Sequence, residues 1–196
     1  MIMNDKTTIG CVIMAAGNAK RFGENKLLAQ VEGKTLMERV LSAIPAGVFR
    51  RVCVVTQYAE VEKLAQNYGF ECIYNDRPED GVSRTVRLGT EALQDKCDAI
   101  MYLVSDQPFI KRESIAGLAG FFLEHPDRIA SASSGGRRGN PCVFPAKYFE
   151  ELCSLTGDTG GGAVIRSHPE DLLLFEMSEE ELNDIDTKEA LNNLKR

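Results

Sequence analysis

The chain has 196 residues, 43% of them hydrophobic and 27% charged, with 17 Gly and 7 Pro, which excludes collagen-like, disordered and membrane-spanning classes. The length suits one α/β domain over residues 1–196, because a single core organises roughly 100 to 200 residues. A formal net charge of −6 argues against a broad electrostatic grip on nucleic acid or on an anionic membrane. The apolar run Ile9 to Ala16 is far shorter than the roughly 20 residues that span a bilayer, and residues 1–8 carry no basic segment followed by an apolar one. The expectation is an untargeted cytoplasmic chain.

In chain order, Thr8–Met14 reads as a strand, Thr35–Ile44 as a helix with Leu36, Val40, Leu41 and Ile44 on one face, and Arg51–Thr56 as a second strand. Ala59–Tyr68 is predicted helical, Phe70–Tyr74 extended, Val82–Leu93 helical, Ala99–Ser105 extended, Arg112–Glu124 helical and Ile129–Ser133 extended. After about residue 134 the rhythm changes. A glycine-rich basic turn, Gly135–Asn140, leads into the apolar run Pro141–Pro145 and a short helix near Lys147–Ser154. A second glycine cluster, Gly157–Gly162, precedes a strand at Leu172–Glu176, an acidic stretch from Ser178 to Asp186 and a last helix over Lys188–Lys195. Alternating strands and helices imply a mostly parallel sheet with helices on both faces and ligands gathered at the carboxyl ends of the strands. The face Leu118 to Phe122 fits a core or an interface equally.

Six cysteines, at 11, 53, 72, 97, 142 and 153, form no CxxC pair, so no zinc or redox motif is visible and buried reduced thiols are expected. The two histidines, His125 and His168, each precede a proline at a helix end, a poor basis for Ser-His-Asp or Cys-His chemistry.

The first strand runs into Met14-Ala15-Ala16-Gly17-Asn18-Ala19-Lys20-Arg21-Phe22-Gly23-Glu24-Asn25-Lys26. Small residues let backbone N–H groups approach a ligand, and three cations in one short loop of an acidic chain suit a polyphosphate. A turn with solvated lysines has the same composition; the position at a strand's carboxyl end favours the phosphate reading. The spacing is neither a P-loop nor GxGxxG.

Ile13-Met14-Ala15-Ala16-Gly17, then Arg21-Phe22-Gly23 and Asn25-Lys26, resembles the signature of the nucleotidyltransferases that include molybdenum cofactor cytidylyltransferase and guanylyltransferase, isoprenoid cytidylyltransferases and sugar-phosphate nucleotidyltransferases. The resemblance implies a three-layer Rossmann-like nucleotide-diphospho-sugar transferase fold, with nucleotide bound by Ala15, Ala16, Gly17, Arg21 and Lys26. Ala-Ala-Gly in place of Ala-Gly-Gly is associated in that family with cytidine nucleotides, and so implies CTP. Val104-Ser105-Asp106-Gln107-Pro108 is similar to the family's Asp-x-Pro element, which makes Asp106 a Mg²⁺ ligand and a catalytic residue beside Arg21 and Lys26. A carboxylate at a strand end beside a cationic loop also suits Mg²⁺, whereas a turn or a cap for the helix near Lys111 explains Asp106 without a metal.

The segment Gly81-Val82-Ser83-Arg84-Thr85-Val86-Arg87-Leu88-Gly89 resembles the family's helix opening near the base, which implies nucleotide contacts from Ser83 and Thr85. Ser83 as a helix cap is the structural alternative. Gly139-Asn140-Pro141-Cys142 and Gly157-Asp158-Thr159-Gly160 resemble acceptor-side elements of the molybdenum cofactor branch, which implies acceptor contacts from Asn140, Pro141, Gly157 and Asp158; glycine-rich loops alone also explain both. Relatives often have histidine where this chain has Asn140, and a basic residue where it has Gly162 and Ala163. Asn183-Asp184-Ile185-Asp186-Thr187 resembles the closing motif, with Asp186 the implied second metal ligand ahead of Asp184; a helix N-cap at Asp186 or Thr187 is the alternative.

The activity so implied is transfer of CMP from CTP, with Mg²⁺, to a phosphate-bearing small-molecule acceptor, foremost the molybdopterin form of molybdenum cofactor, with loss of pyrophosphate. A molybdoenzyme or its maturation factor is the implied protein partner, and nucleic acid and membrane are not. Two alternatives stand: a sugar or alditol phosphate as acceptor, and a non-catalytic nucleotide- or cofactor-binding accessory protein. Arg137 and Arg138 fit either an anionic acceptor or a solvated turn.

Overall fold

The computed structural model describes residues 7–17, 25–185 and 189. Strand β1 (Ile9–Ala15) lies at the centre of a seven-stranded sheet, paired in parallel with β4 (Arg51–Thr56) and β6 (Ala99–Val104). Its alternate residues serve opposite cores: Cys11, Ile13 and Ala15 pack on one face and Val12 on the other. Burial on both faces explains why the run is apolar throughout rather than alternating. With β5 (Glu71–Tyr74), β7 (Ile129–Ser134), β8 (Arg137–Pro145) and β9 (Leu172–Glu176), the order is β5-β4-β1-β6-β8-β7-β9. Only β8 runs against the other strands of this sheet.

Helices α1 (Leu36–Ala43), α2 (Ala59–Asn67) and α4 (Arg112–Glu124) cover one face, burying Met37, Val40 and Leu41, Val61 and Ala65, and Ile115, Leu118 and Phe122. Leu118 and Phe122 are thus core residues. Helices α3 (Val82–Leu93), α5 (Phe149–Cys153) and α6 (Gly162–Ser167) cover the other with Val86, Leu93, Phe149, Leu152, Val164 and Ile165. This is a three-layer Rossmann-like α/β architecture. Helix α1 begins at a capping box in which Thr35 Oγ1 accepts from Glu38 N–H and the Glu38 carboxylate accepts from Thr35 N–H. No helix among the described residues is long and apolar enough to cross a membrane. All six cysteines are free thiols; burial pushes Cys53 up to about 12 and Cys11 well above its ordinary value, so both stay neutral.

Several sequence expectations are corrected. The turn expected at Gly135–Asn140 is only Gly135-Gly136, both at positive φ (56° and 75°), and Arg137–Asn140 already belong to β8. A two-residue turn with both φ positive matches strand twist, so the chain reverses there and continues antiparallel. The helix near Lys147–Ser154 divides into a 3-10 turn at Ala146–Tyr148 followed by α5. Helix α6 grows out of the second glycine cluster, whose composition hides it, and the acidic stretch contains a 3-10 turn at Glu179–Leu182. A hairpin of β2 (Gln30–Val31) and β3 (Lys34–Thr35) was too short to show a period; Glu32 and Gly33, at φ 50° and 80°, make its turn. The expected helix Lys188–Lys195 lies outside the described residues.

Candidate active site

Three parallel strands, β4, β1 and β6, end side by side, and the loops beyond their carboxyl ends form the site. After β6 comes Asp106, and Lys26 opens a 3-10 turn whose N-cap Asn25 accepts from Leu27 N–H. Lys26 Nζ donates to Asp106 Oδ2 at 3.0 Å and to the Ile185 carbonyl at 3.3 Å, while Ile185 N–H donates to the Asp106 carbonyl at 2.9 Å. The two side chains are 16% and 26% exposed, so the pair opens to solvent on one side. Arg21 and Asp186, expected beside them, lie outside the described residues.

The segment bearing Ile185 is held by Gln107 and Glu181, to which the sequence assigned no role. Gln107 Nε2 donates to the Leu182 carbonyl (3.1 Å) and to Asp184 Oδ1 (3.0 Å). Glu181, 4% exposed, accepts from Ser178 Oγ (2.8 Å) and from the N–H of Lys111 (3.1 Å), the residue that precedes α4. Asp106 does not cap α4, whose N-cap residue is Lys111 and which no side chain caps. Burial alone would raise the Glu181 carboxyl, but hydrogen bonds from Ser114, Ser178 and the Lys111 and Ser178 N–H groups hold it below its ordinary 4.5. A depressed carboxyl stabilises the fold above that ordinary value, and the contribution is lost as pH falls through the lowered one. Glu181→Gln is therefore expected to cost about 1–3 kcal/mol at neutral pH and to lose less stability than wild type on acidification below 4.5, as read by thermal denaturation across pH.

The turn after β1 is bounded by side-chain donors: Ser105 Oγ donates to the Met14 carbonyl (2.8 Å), Thr56 Oγ1 to Ala15 (3.0 Å), Gln57 Nε2 to Ala16 (2.8 Å) and Tyr58 OH to Gly17 (3.0 Å). Position just beyond the end of β4 was the one sequence signal that could have found Gln57 and Tyr58.

Helix α3 begins at Gly81, whose φ of 85° and ψ of −170° suit glycine alone, and no side chain caps it. Ser83 is therefore not the cap: it lies inside the helix, 2% exposed, with its N–H donating to the Gly157 carbonyl (3.1 Å). Thr85 Oγ1 accepts from Asn75 Nδ2 at 3.3 Å, and Asn75 is held by Thr56 and Arg84 in turn. Ser83 and Gly157 thus meet through their backbones.

A pocket of ≈ 290 Å³, counting its open mouth, is lined by Met14, Val86, Tyr102, Asn140, Cys142, Phe144, Leu152, Gly161 and Gly162. Asn140 is joined by a cis peptide to Pro141 in β8, and the pocket lies between α3 and that strand. Gly157 and Asp158 do not line it; they press on Gly81, where a Cβ would stand 2.4 Å from the Gly157 carbonyl carbon and 2.7 Å from Asp158 N. At Gly162 a Cβ would stand 3.0 Å from an Arg138 guanidinium nitrogen and 3.6 Å from one of Arg166, so two cations converge at that wall. Arg137 instead pairs with Glu179 at 3.5 Å.

A divalent cation fits the donor set at Asp106. The Asp106 carboxylate and the Ile185 carbonyl already share one cation, the Lys26 ammonium. Among the described residues no three His, Cys, Asp or Glu side chains gather to hold a metal. One carboxylate completed by phosphate oxygens and water is what a hard cation such as Mg²⁺ or Mn²⁺ accepts.

Parallel strands that end at one set of loops, in a sheet covered by helices on both faces, define an α/β protein of the kind that binds ligands at the carboxyl ends of its strands. The chain belongs to the MobA-like NTP transferase domain family, whose model matches residues 11–172. The purine catabolism protein PucB of Bacillus subtilis is 26% identical over 94% of this chain and 95% of its own length. A 3-deoxy-manno-octulosonate cytidylyltransferase of Francisella philomiragia is 27% identical over 54% of the chain, and a probable molybdenum cofactor guanylyltransferase of Aquifex aeolicus 30% identical over 58%. These two matches span 43% and 54% of the relatives' own lengths. Among solved structures, a nucleotidyl transferase from Methanothermobacter has a TM-score of 0.80 at 22% identity, covering 96% of both chains. Rv0371c of Mycobacterium tuberculosis in complex with manganese has a TM-score of 0.75 at 19% identity, covering 96% of this chain and 98% of that one. Both share the fold.

Proposed function

We propose that the chain, acting as one domain in the cytoplasm, transfers CMP from CTP to the phosphate of an acceptor, foremost the molybdopterin form of molybdenum cofactor, and releases pyrophosphate. The observation that carries this reading is the Lys26–Asp106 pair at 3.0 Å, one strand away from the Ala15-Ala16-Gly17 turn. The turn's N–H groups, Arg21 and Lys26 hold the triphosphate. Asp106, with Asp186, would hold Mg²⁺, which when bound neutralises charge on the phosphate oxygens. An acceptor phosphate oxygen forms the new bond to the α-phosphorus in line with the bond to the β-phosphate, which breaks. Positioning and charge neutralisation suffice for such a transfer, and an acceptor phosphate already ionised near neutral pH needs no general base.

Ser83 and Thr85 lie on the nucleotide side in this reading; Asn140, Pro141, Gly157 and Asp158 lie on the acceptor side. Arg138 with Arg166 offers charge for an anionic group at the wall of the pocket beside Asn140. Support for cytidine comes from the Ala-Ala-Gly turn and the cytidylyltransferase relative, and support for the acceptor from the molybdenum cofactor relative. A molybdoenzyme or its maturation factor would receive the product. A sugar or alditol phosphate is the second reading for the acceptor.

Thermal shift with CTP, GTP, ATP and UTP, each with Mg²⁺, tests the nucleotide, because a ligand at 100 times its dissociation constant adds about 2.7 kcal/mol of stability. CTP is expected to stabilise selectively, and pyrophosphate release on adding molybdopterin to the CTP complex then tests the acceptor. Stabilisation without release under either acceptor would favour the non-catalytic alternative.

A further inference from the structure

Four consecutive carbonyl oxygens, those of Met14, Ala15, Ala16 and Gly17, each accept a hydrogen bond from a different side chain. The donors come from the ends of the two strands that flank β1: Ser105 follows β6, and Thr56, Gln57 and Tyr58 end and follow β4. Ladder pairing of β1 stops at Ala15, opposite Thr56. Beyond it the Gln57 amide and the Tyr58 hydroxyl continue the pairing with side chains where backbone pairing has ended. Three successive residues of one strand end thus hold three successive carbonyls of the next.

We propose that Thr56, Gln57 and Tyr58, with Ser105, are positioning residues that aim the N–H groups of the Ala15-Ala16-Gly17 turn at the nucleotide. A trans peptide is planar, with its C=O and the following N–H pointing in opposite directions. Holding the Ala15 and Ala16 carbonyls toward β4 therefore turns the Ala16 and Gly17 N–H groups away from β4. An unheld carbonyl could rotate to face the ligand, where its partial negative charge repels a phosphate and its paired N–H is lost as a donor. Among the described residues, a Cβ added at Gly17 would meet nothing within 4 Å. Thr56 does two jobs: its hydroxyl donates to Ala15 and accepts from Tyr58 N–H at 3.1 Å, which locks the donor segment to itself. A single hydroxyl oxygen can do both at once. The inference rests on the proposed seat of the nucleotide at residues 15–17, and not on which nucleotide or acceptor is used.

The test is calorimetric titration of CTP, GTP, ATP and UTP, each with Mg²⁺, into wild type, Tyr58→Phe, Gln57→Ala, the double variant, Thr56→Val and Thr56→Ser. Each loss of one donor is expected to weaken the bound nucleotide about three- to tenfold, with the nucleotide KM rising in step and kcat within about twofold of wild type. The ligand-free melting temperature of Tyr58→Phe should stay at the wild-type value, since the change removes a single solvent-accessible hydroxyl. Thr56→Ser should bind as wild type does where Thr56→Val does not. Unchanged affinity in both Tyr58→Phe and Gln57→Ala would overturn the proposal. So would affinity losses that merely follow losses of ligand-free stability, or a wild-type chain that binds none of the four nucleotides. Preference for GTP over CTP would overturn the cytidylyl reading while leaving this one standing.

Discussion

Asp106→Ala is expected to lower turnover by about a thousandfold while leaving the fold intact. The change removes the carboxylate that faces the Lys26 ammonium, and keeps that ammonium's bond to the Ile185 carbonyl. In the proposed role Asp106 holds the catalytic cation, and losing such a group forfeits several kcal/mol of charge stabilisation in the transition state, each 1.36 kcal/mol being tenfold in rate. The stability effect should be far smaller, because a partly exposed ion pair contributes at most about 1 kcal/mol. Pyrophosphate release and a melting curve, measured on the same preparation, separate the two. Turnover within tenfold of wild type would remove Asp106 from the reaction. Asp106→Asn, which keeps shape but not charge, should lie between.

Gly81→Ala is expected to cost about 2–4 kcal/mol, or about 5–15 °C in melting temperature for a chain of this size. A Cβ there would enter the Gly157-Asp158 backbone at 2.4 to 2.7 Å, and φ of 85° is a conformation that L side chains rarely adopt. Backbone on both sides leaves nothing flexible to give way, so either α3 or the 157–158 turn must move. That motion would break the Ser83 N–H to Gly157 carbonyl bond and should weaken nucleotide binding as well. Gly157→Ala is the control: φ is also positive, at 62°, but an added Cβ would meet nothing within 4 Å among the described residues, so a cost nearer 1 kcal/mol is expected. Equal melting temperatures for the two variants would show that the close approach does not constrain the fold.

The regular elements were legible where one period ran long enough to be counted. Strands β1, β4 and β6 are apolar because both faces are buried, and α3 and α4 repeat at three and four because each has one buried face, so boundaries such as Val82–Leu93 and Arg112–Glu124 coincide with those expected. Short elements hid. Helix α6 has six residues behind a run of glycines, the β2–β3 hairpin has two residues per strand, and β8 begins with Arg137 and Arg138, which read as a solvated turn until Gly135-Gly136 reverses the chain. Composition marks the flexible residues of a turn and not where the turn ends.

The candidate site divides in the same way. By itself the sequence determined where the candidate site lies, because Ala15-Ala16-Gly17, Lys26 and Asp106 lie in short motifs at or just beyond strand ends, and local spacing survives folding. It also determined that the sheet is mostly parallel, since alternating strands and helices leave few other ways to bury both faces. Only the tertiary structure decided what holds those motifs in place. Lys26 meets Asp106 across 80 residues, Gln57 meets Ala16 across 41, and Lys111 meets Glu181 across 70. A lone Gln, Tyr or buried Glu has no period and no motif of its own. Its role comes from a hydrogen bond to a main-chain group that sheet order and loop closure bring within about 3 Å, and that information resides in the packing of the whole chain.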